Sequence, residues 1–296
     1  MELPLESVPN FSEGRNRATI DAIAAALDNG SRLLDVHADA DHNRSVFTLV
    51  GTAEQLAASL LAGIDVARQR IDLRRHEGAH PFVGAADVVP LVPLRPEDMP
   101  RARAAALDVG RRIGSELGLP VFLYGDEVGG GRARHEIRGR GGPAELQRRI
   151  ERGDLAPDYG PAQLDLAAGA VLVGARRPLI AFNVNLRGAT LDDARALAGL
   201  VRERDGGFPG VRALGIDLPR AGLVQVSMNV EDWEAAALHR IVGRLAAAAA
   251  ERGIELAGSE LVGLMPAGAA AEAAGAALRI DGFDASRVLE LRVLET

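Results

Sequence analysis

The alternation of two hydrophobic periods along residues 178–264 limits this chain to a small set of folds. A period of two residues, typical of strands, alternates there with the period of 3.6 residues that is typical of helices. The successive elements are predicted at 178–186 (strand), 190–204 (helix), 211–217 and 223–230 (strands), 233–251 (helix) and 255–264 (strand). This order of strand, helix, strand, strand, helix and strand is that of ferredoxin-like folds.

The first part of the chain also alternates predicted strands and helices, over a longer stretch. Residues 125–143, rich in Gly and Arg, are predicted to form a mobile surface loop. The remaining elements are predicted at 3–8 (strand), 16–28 (helix), 32–50 (two strands around a polar loop at 39–43), 53–70 (helix), 87–94 (strand), 97–117 (helix) and 121–124 (strand).

These patterns place a domain boundary near Arg177 and predict an α/β (α+β) fold. The N-terminal subdomain covers 1–177 and the C-terminal subdomain covers 178–296. We expect two subdomains of the βαββαβ type, with mixed or antiparallel sheets that face each other across a ligand groove.

The chain contains neither lysine nor cysteine, and this excludes several chemistries. All 34 cationic side chains are arginines, against 41 acidic ones, so the net charge is −7. Schiff bases, lysine-dependent phosphate loops, thiolate nucleophiles and Cys-ligated metals are excluded. The acidic balance and the small number of aromatic residues argue against nucleic-acid binding. Since no long apolar run occurs, we expect no membrane span and no signal peptide, and a cytoplasmic location.

Residues 76–80 (HEGAH) match the H-E-x-x-H pattern of zinc proteases. Gly78 and Pro81 disfavour the helix that would bring both histidines to one face, so we predict no metal site. A looser set of histidines and aspartates at 37–42 could join His76 and His80 around zinc or manganese. Turn formation explains the polar residues at 37–42 more simply.

His80 lies in an irregular stretch directly ahead of an apolar strand. An imidazole in such a position can act as a general acid or base near neutral pH. A histidine satisfied by the loop backbone fits the same residues equally well, and the residues alone leave both interpretations open.

Seven sequence segments, in order along the chain, resemble motifs of the formiminotransferase family. They are residues 8–15 (VPNFSEGR), 39–51 (DADHNRSVFTLVG), 76–90 (HEGAHPFVGAADVVP), 121–125 (VFLYG), 169–186 (GAVLVGARRPLIAFNVNL), 222–230 (GLVQVSMNV) and 259–266 (SELVGLMP). The resemblance implies transfer of the formimino group of N-formimino-L-glutamate to N5 of tetrahydrofolate, a late step in histidine breakdown. It also implies two α/β subdomains with folate held in the groove between them.

The resemblance further implies tetrahydrofolate as a co-substrate. We also expect a homodimer without a metal. In many animals this domain is fused to a cyclodeaminase. The chain ends before a second domain of that kind could fit, so we expect a separate cyclodeaminase to act on the 5-formimino product.

The family's catalytic histidine is the second His of its H-x-G-x-H-P motif, and this histidine is His80 in this chain. By this resemblance it would take the N5 proton and hand it to the departing amine, so that proton transfer and positioning suffice for the reaction. Arg44 could pair with a carboxylate through its fork. The candidate residues for binding substrate or folate are His37, Asp39, Asn43, Arg44, Gly160, Pro161, Asp165, Ala168, Gly169, Asn183 and Gln225.

Two positions depart from the family pattern. Phe82 stands where an Arg usually follows His-Pro, and Asp165-Leu166 stands where His-Pro is common in the folate segment at 160–170. These departures motivate one alternative, a folate-dependent transferase that uses formylglutamate or another formimino amino acid as its donor. The other alternative is a homologue that binds folate or another ligand without catalysing transfer.

Overall fold

The computed structural model describes residues 3–139 and 141–294, which divide into two compact units. The first unit ends at Arg177 and the second begins at Pro178. Each unit builds its own sheet, and the first sheet is mixed whereas the second is antiparallel. The fold is therefore of the α+β class.

The described residues of the first unit form seven strands in one sheet. They are β1 (Leu5–Ser7), β2 (Asn10–Phe11), β3 (Arg32–Asp39), β4 (Arg44–Gly51), β5 (Ala86–Pro93), β6 (Val121–Tyr124) and β7 (Val171–Ala175). Strands β1 and β2 lie between β4 and β5 and run antiparallel to both, and β3 pairs with β4 at one edge. Beyond β5 the sheet continues through β7 to β6, and all three of these strands are parallel.

This unit also contains the helices α1 (Arg17–Leu27), α2 (Ala53–Arg70), α3 (Met99–Arg112), α4 (Arg134–Arg138) and α5 (Gly142–Glu151). Helix α2 begins at a capping box in which Thr52 and Gln55 exchange side-chain and backbone hydrogen bonds. Phe11 and Phe47 meet edge to face at 5.3 Å inside the main core.

The second unit contains β8 (Ile180–Arg187), α6 (Leu191–Val201), β9 (Val211–Leu218), β10 (Leu223–Val230), α7 (Leu238–Ala250), β11 (Glu255–Val262), α8 (Ala267–Leu278) and α9 (Leu289–Leu294). The strand order is β11-β8-β10-β9, and every neighbouring pair is antiparallel. Val184 and Val226 point into a core shared with the helices, so the alternating residues on β8 and β10 lie on the opposite face.

Several elements differ from the sequence prediction. The strand predicted at 3–8 is shorter, spanning only Leu5–Ser7, and the short strand β2 that follows Pro9 was not predicted. The ring of Pro9 removes a backbone donor between the two strands. The helix predicted from Trp233 begins at Leu238. Strand β7 and helices α5 and α8 were not predicted.

The segment predicted as a mobile loop at 125–143 contains helix α4. Ile137 of this helix is only 1% exposed and packs in a small core with Val83 and Leu146. Burial of one apolar side chain therefore anchors the middle of the segment, which composition alone did not reveal.

No helix in the described part of the chain combines the length and the apolar character needed to cross a membrane.

Candidate active site

The hairpin turn between β3 and β4 joins three separate segments of the first unit. Asn43 occupies this turn with φ 47°, in the left-handed region that Asn tolerates better than most residues. Its Oδ1 accepts the N–H of Gly14 at 2.9 Å, and its Nδ2 donates to the carbonyl of Glu77 at 3.0 Å. The N–H of Ala79 donates to the carbonyl of Asp41 at 3.1 Å. The turn therefore holds the 76–80 segment beside the chain at Gly14.

Glycine is required where these segments touch. A Cβ at Gly14 would lie 2.0 Å from the carbonyl oxygen of Asp39, and one at Gly78 would lie 2.3 Å from that of His42. Both distances are far below any real contact, so side chains at these positions would push the segments apart.

His80 lies beyond this junction, outside any helix, and is half-buried. Its Nδ1 is 2.7 Å from the carbonyl oxygen of Pro81. Because a carbonyl only accepts, Nδ1 carries the proton in this contact, and Nε2 is the basic nitrogen of the neutral ring. The His42 ring lies 6.2 Å away between centroids. The geometry thus presents one basic nitrogen, the requirement for a general base.

The H-E-x-x-H match does not form a helix. A 3-10 turn ends at Arg75, and residues 76–83 are irregular. The His76 ring contacts Phe82 edge to face at 4.3 Å, and its Nδ1 is 3.3 Å from Nδ2 of Asn43. The two histidines of the motif thus have different neighbours.

A buried carboxylate, Asp87, connects the His80 segment to two arginines. Its side chain is fully buried. Oδ1 accepts the N–H of Val83 at 2.9 Å. Oδ2 lies 2.8 Å from Nη1 of Arg44 and 2.5 Å from Nη2 of Arg138. Two guanidinium groups therefore surround one carboxylate, and the cluster carries a net charge of +1.

The cluster sets the protonation of its members. Burial would raise the pKa of Asp87, but Arg138 and Arg44 hold it well below its usual range. Burial lowers the pKa of Arg44 to about 10, and the guanidinium stays charged at neutral pH. Burial, followed by the charges of Arg44 and Arg138, lowers the pKa of His80 well below its ordinary value, against the smaller opposing effects of Asp87 and the Pro81 carbonyl. His80 is consequently neutral and able to accept a proton at neutral pH.

Arg44 pairs with a carboxylate of the chain itself. Its Nη1 binds Asp87, and its Nε and Nη2 both donate to Oδ1 of Asn10, at 3.0 and 2.8 Å. The fork that was predicted to take a ligand carboxylate is occupied by these contacts within the protein.

The neighbouring predicted residues lie around the same hairpin. Oδ1 of Asp39 accepts the N–H of His42 at 2.7 Å, a turn-forming contact. His37 lies on β3 opposite Val46 and is half-buried. The structure therefore brings Asp39, Asn43 and Arg44 to the His80 segment through the β3–β4 hairpin.

The segment at 160–170 supports the chain that follows His80. Gly169 has φ 72°, and a Cβ there would lie 2.0 Å from the carbonyl oxygen of Val83. The carbonyl of Ala168 accepts the N–H of Ala85 at 2.8 Å. The close approach predicted for this glycine is thus to the protein backbone next to the site.

The upstream half of that segment, which begins at Gly160, packs against a different part of the first unit. A Cβ at Gly160 would lie 2.2 Å from the carbonyl oxygen of Leu119, and Pro161 is exposed. Asp165 is also exposed, and its Oδ1 accepts the N–H of Ala167 at 2.9 Å.

Asn183 and Gln225 belong to the second unit, on the face of the sheet opposite the helices. Their amide nitrogens donate to the same carboxylate oxygen of Glu260, at 3.0 and 3.3 Å, and Gln225 also donates to Asn185 at 2.9 Å. The structure joins these two predicted residues to each other, through Glu260, within the second unit.

Asp87, Arg138 and Asn10 were missed by the sequence prediction. Asp87 carried a signal, since it is the acidic residue inside an otherwise apolar strand, and a buried charge needs a partner. Arg138 carried no such signal in the sequence, because it lies in a segment whose composition predicts a loop.

Comparison with known proteins gives consistent matches over both units. Residues 4–176 match the family model of the formiminotransferase domain, N-terminal subdomain, and residues 181–281 match that of the formiminotransferase domain. A glutamate formimidoyltransferase of Streptococcus pyogenes serotype M1 is 38% identical over 283 residues, 95% of each chain. One of Thermoplasma acidophilum is 37% identical over 295 residues, which cover 98% of this chain and 97% of the relative.

A formimidoyltransferase-cyclodeaminase of Sus scrofa is 39% identical over 279 residues. The match covers 91% of this chain but 51% of that relative.

Proposed function

This chain belongs to the formiminotransferase family, and we propose that it transfers the formimino group of N-formimino-L-glutamate to N5 of tetrahydrofolate, releasing glutamate. The protein is a one-carbon transferase. The full-length similarity to two glutamate formimidoyltransferases supports this donor and this acceptor. We further propose that the units on either side of Arg177 act as its N-terminal and C-terminal subdomains.

His80 moves the protons in the proposed mechanism. N5 attacks the amidine carbon, and Nε2 of His80 accepts the proton that N5 loses. The tetrahedral intermediate then collapses as His80 returns the proton to the departing amine of glutamate. The observation that carries this proposal is the contact of the His80 Nδ1 with the Pro81 carbonyl oxygen at 2.7 Å, which leaves Nε2 as the basic nitrogen of the ring.

Asp87 acts as a positioning residue. Its bond from the N–H of Val83 fixes the chain three residues after His80, while its ion pairs fix Arg44 and Arg138 around the site. The chemistry needs no covalent intermediate on the protein, so a chain without lysine or cysteine can perform it.

The remaining predicted residues enter the proposal as binding groups. The hairpin residues His37, Asp39 and Asn43 would orient substrate next to His80. Buried amides on a sheet suit recognition of a polar ring edge, and this supports Asn183 and Gln225 as folate contacts. Gly160, Pro161, Asp165, Ala168 and Gly169 form the proposed folate segment.

The animal relatives named formimidoyltransferase-cyclodeaminase join two activities in one chain, and this chain spans about half of their length. We propose that a separate cyclodeaminase consumes the 5-formimino product, within histidine breakdown. We also propose that the enzyme is a homodimer, that it is cytoplasmic and that it uses no metal.

Purified protein incubated with formiminoglutamate and tetrahydrofolate tests the function, with glutamate release as the readout. His80→Ala should lower kcat by roughly 100-fold or more, the usual contribution of general acid–base catalysis. His239→Ala, at an exposed histidine of the second unit, is the matched control and should keep full activity. Full activity of His80→Ala would overturn the mechanism.

Phe82 supports a second candidate donor. Its ring packs on His76 where the family usually has an arginine, so the site contains one cation fewer at this position. Formylglutamate and other formimino amino acids, compared at fixed tetrahydrofolate, distinguish this candidate from the first. A higher kcat/KM with one of these donors than with formiminoglutamate would favour it.

A further inference from the structure

Arg138 reaches the His80 site from the segment that was predicted to be a loop. Its short helix α4 is anchored by the buried side chain of Ile137, and the carbonyl of Ile137 accepts a bond from Nη1 of Arg149 at 2.7 Å. The side chain of Arg138 is only 12% exposed. The fold thus holds this guanidinium firmly beside Asp87.

One donor of Arg138 is buried without a partner. Nη2 binds Asp87, but Nε is inaccessible to solvent and has no hydrogen-bond partner among the described residues. Buried polar groups of native proteins are nearly always paired, and an unpaired donor in a functional site indicates a missing acceptor.

The charge of the cluster also indicates a missing anion. Arg44 and Arg138 contribute two positive charges, and Asp87 contributes one negative charge. Nη1 of Arg44 donates to Asp87, and its Nε and Nη2 donate to Asn10. Arg138 has one nitrogen bound to Asp87 and its side chain is 12% exposed, so its guanidinium is the group of the cluster best placed for an incoming carboxylate.

We propose that Arg138 is a specificity-determining residue that binds the α-carboxylate of the formimino donor through the guanidinium N–H groups that Asp87 does not engage. This inference rests on the proposed function, because it takes the donor to be a formimino amino acid whose leaving nitrogen is protonated by His80. Asp87 supports it structurally, since the same carboxylate holds both Arg138 and the chain that follows His80.

The α-carboxylate is the carboxylate of the donor that lies nearest to the leaving nitrogen along the covalent structure. In formiminoglutamate its carbon is two bonds from the leaving nitrogen, whereas the side-chain carboxylate is separated from that nitrogen by four. The carboxylates of tetrahydrofolate lie farther still, beyond the aminobenzoyl group. A cation beside the group that protonates the leaving nitrogen therefore meets the α-carboxylate first.

A pair of donors tests this assignment. The formimino derivative of 4-aminobutyrate is formiminoglutamate without its α-carboxylate. With the unchanged protein, kcat/KM should be roughly 10- to 100-fold lower for this derivative, as expected for loss of one charged hydrogen bond. Equal kcat/KM for the two donors overturns the proposal, whatever any variant does.

Arg138→Gln should lower kcat/KM for formiminoglutamate by a similar factor, mainly through KM. It should change kcat/KM for the derivative by less than about threefold, because the bond is already absent there. The KM for tetrahydrofolate should stay the same. Equal losses with both donors would mean a merely structural role, and a raised KM for tetrahydrofolate would assign the carboxylate to folate; either result overturns the proposal.

Two further variants control for folding. Arg138→Lys keeps a cation for Asp87 but lacks the further guanidinium donors, so it should remain folded and reproduce the donor-specific loss. Arg148→Gln removes an exposed arginine of α5 and should leave all constants unchanged. A failure of the proposed function itself is distinct, since the unchanged protein would then release no glutamate.

Discussion

The N–H of Val83 donates to Oδ1 of Asp87 at 2.9 Å, and this one bond joins the segment of the proposed catalytic histidine to a buried ion-pair cluster. Oδ2 of the same carboxylate holds Arg44 and Arg138. A single side chain therefore contacts both the chain that follows His80 and the two arginines near it. The first prediction follows from this arrangement.

Asp87→Asn should destabilise the protein by about 3 to 5 kcal/mol, because it leaves two buried guanidinium groups without their carboxylate. Urea unfolding measures this change. Asp154→Asn removes an exposed carboxylate paired with Arg152 at 2.9 Å and should cost less than about 1 kcal/mol. Equal losses of stability in the two variants would contradict the role given to Asp87.

The pH dependence of kcat/KM should reflect the lowered pKa of His80. Because burial and the two arginines favour its neutral form, the plateau should extend below pH about 6.5, the unperturbed value, and activity should fall only in more acidic solution. Arg138→Gln removes one cation and should move the acidic midpoint upward. A wild-type midpoint at or above the unperturbed value would contradict this prediction.

The same shift has a defined effect on stability. Since the pKa of His80 is lower in the folded protein, the unfolded chain binds the proton first as the pH falls. The contribution of His80 to the free energy of unfolding should be complete above about pH 6.5 and should decline as the pH drops toward the folded pKa. His80→Ala should reduce this decline, as measured by urea unfolding at several pH values.

Gly169→Ala should destabilise the protein by about 3 kcal/mol or more and lower kcat, since the new Cβ would meet the Val83 carbonyl at 2.0 Å. Gly188→Ala is the matched control, because Gly188 has the same φ of 72° with nothing within 4 Å. It should cost about 1 to 2 kcal/mol from backbone strain alone. Comparable costs would show that the contact with Val83 contributes nothing.

Phe82→Arg should not improve donor binding, although it restores the residue usual in the family. The Phe82 ring packs on His76 at 4.3 Å, and a further cation would join a cluster that already has a net positive charge. We expect a loss of about 1 to 3 kcal/mol in stability and no decrease in KM for formiminoglutamate. A lower KM with full stability would show instead that the site lacks a cation.

The sequence predicted the local structure well where periodicity was strong. Helix α2 (Ala53–Arg70) and strands β6 (Val121–Tyr124) and β10 (Leu223–Val230) begin and end where their patterns predicted. Strand β7 was missed, because its five-residue apolar run carries no period that distinguishes strand from helix.

The sequence by itself determined the α+β class, the family and the candidate histidine, because apolar periods and collinear motifs are local properties of a chain. Only the tertiary structure decided which charges meet. Arg44 and Arg138 are 43 and 51 residues from Asp87, and no spacing along the chain predicts a pairing at such separations. The fold brings these groups together inside a buried environment, and burial is what turns three ordinary charged residues into a cluster that controls His80.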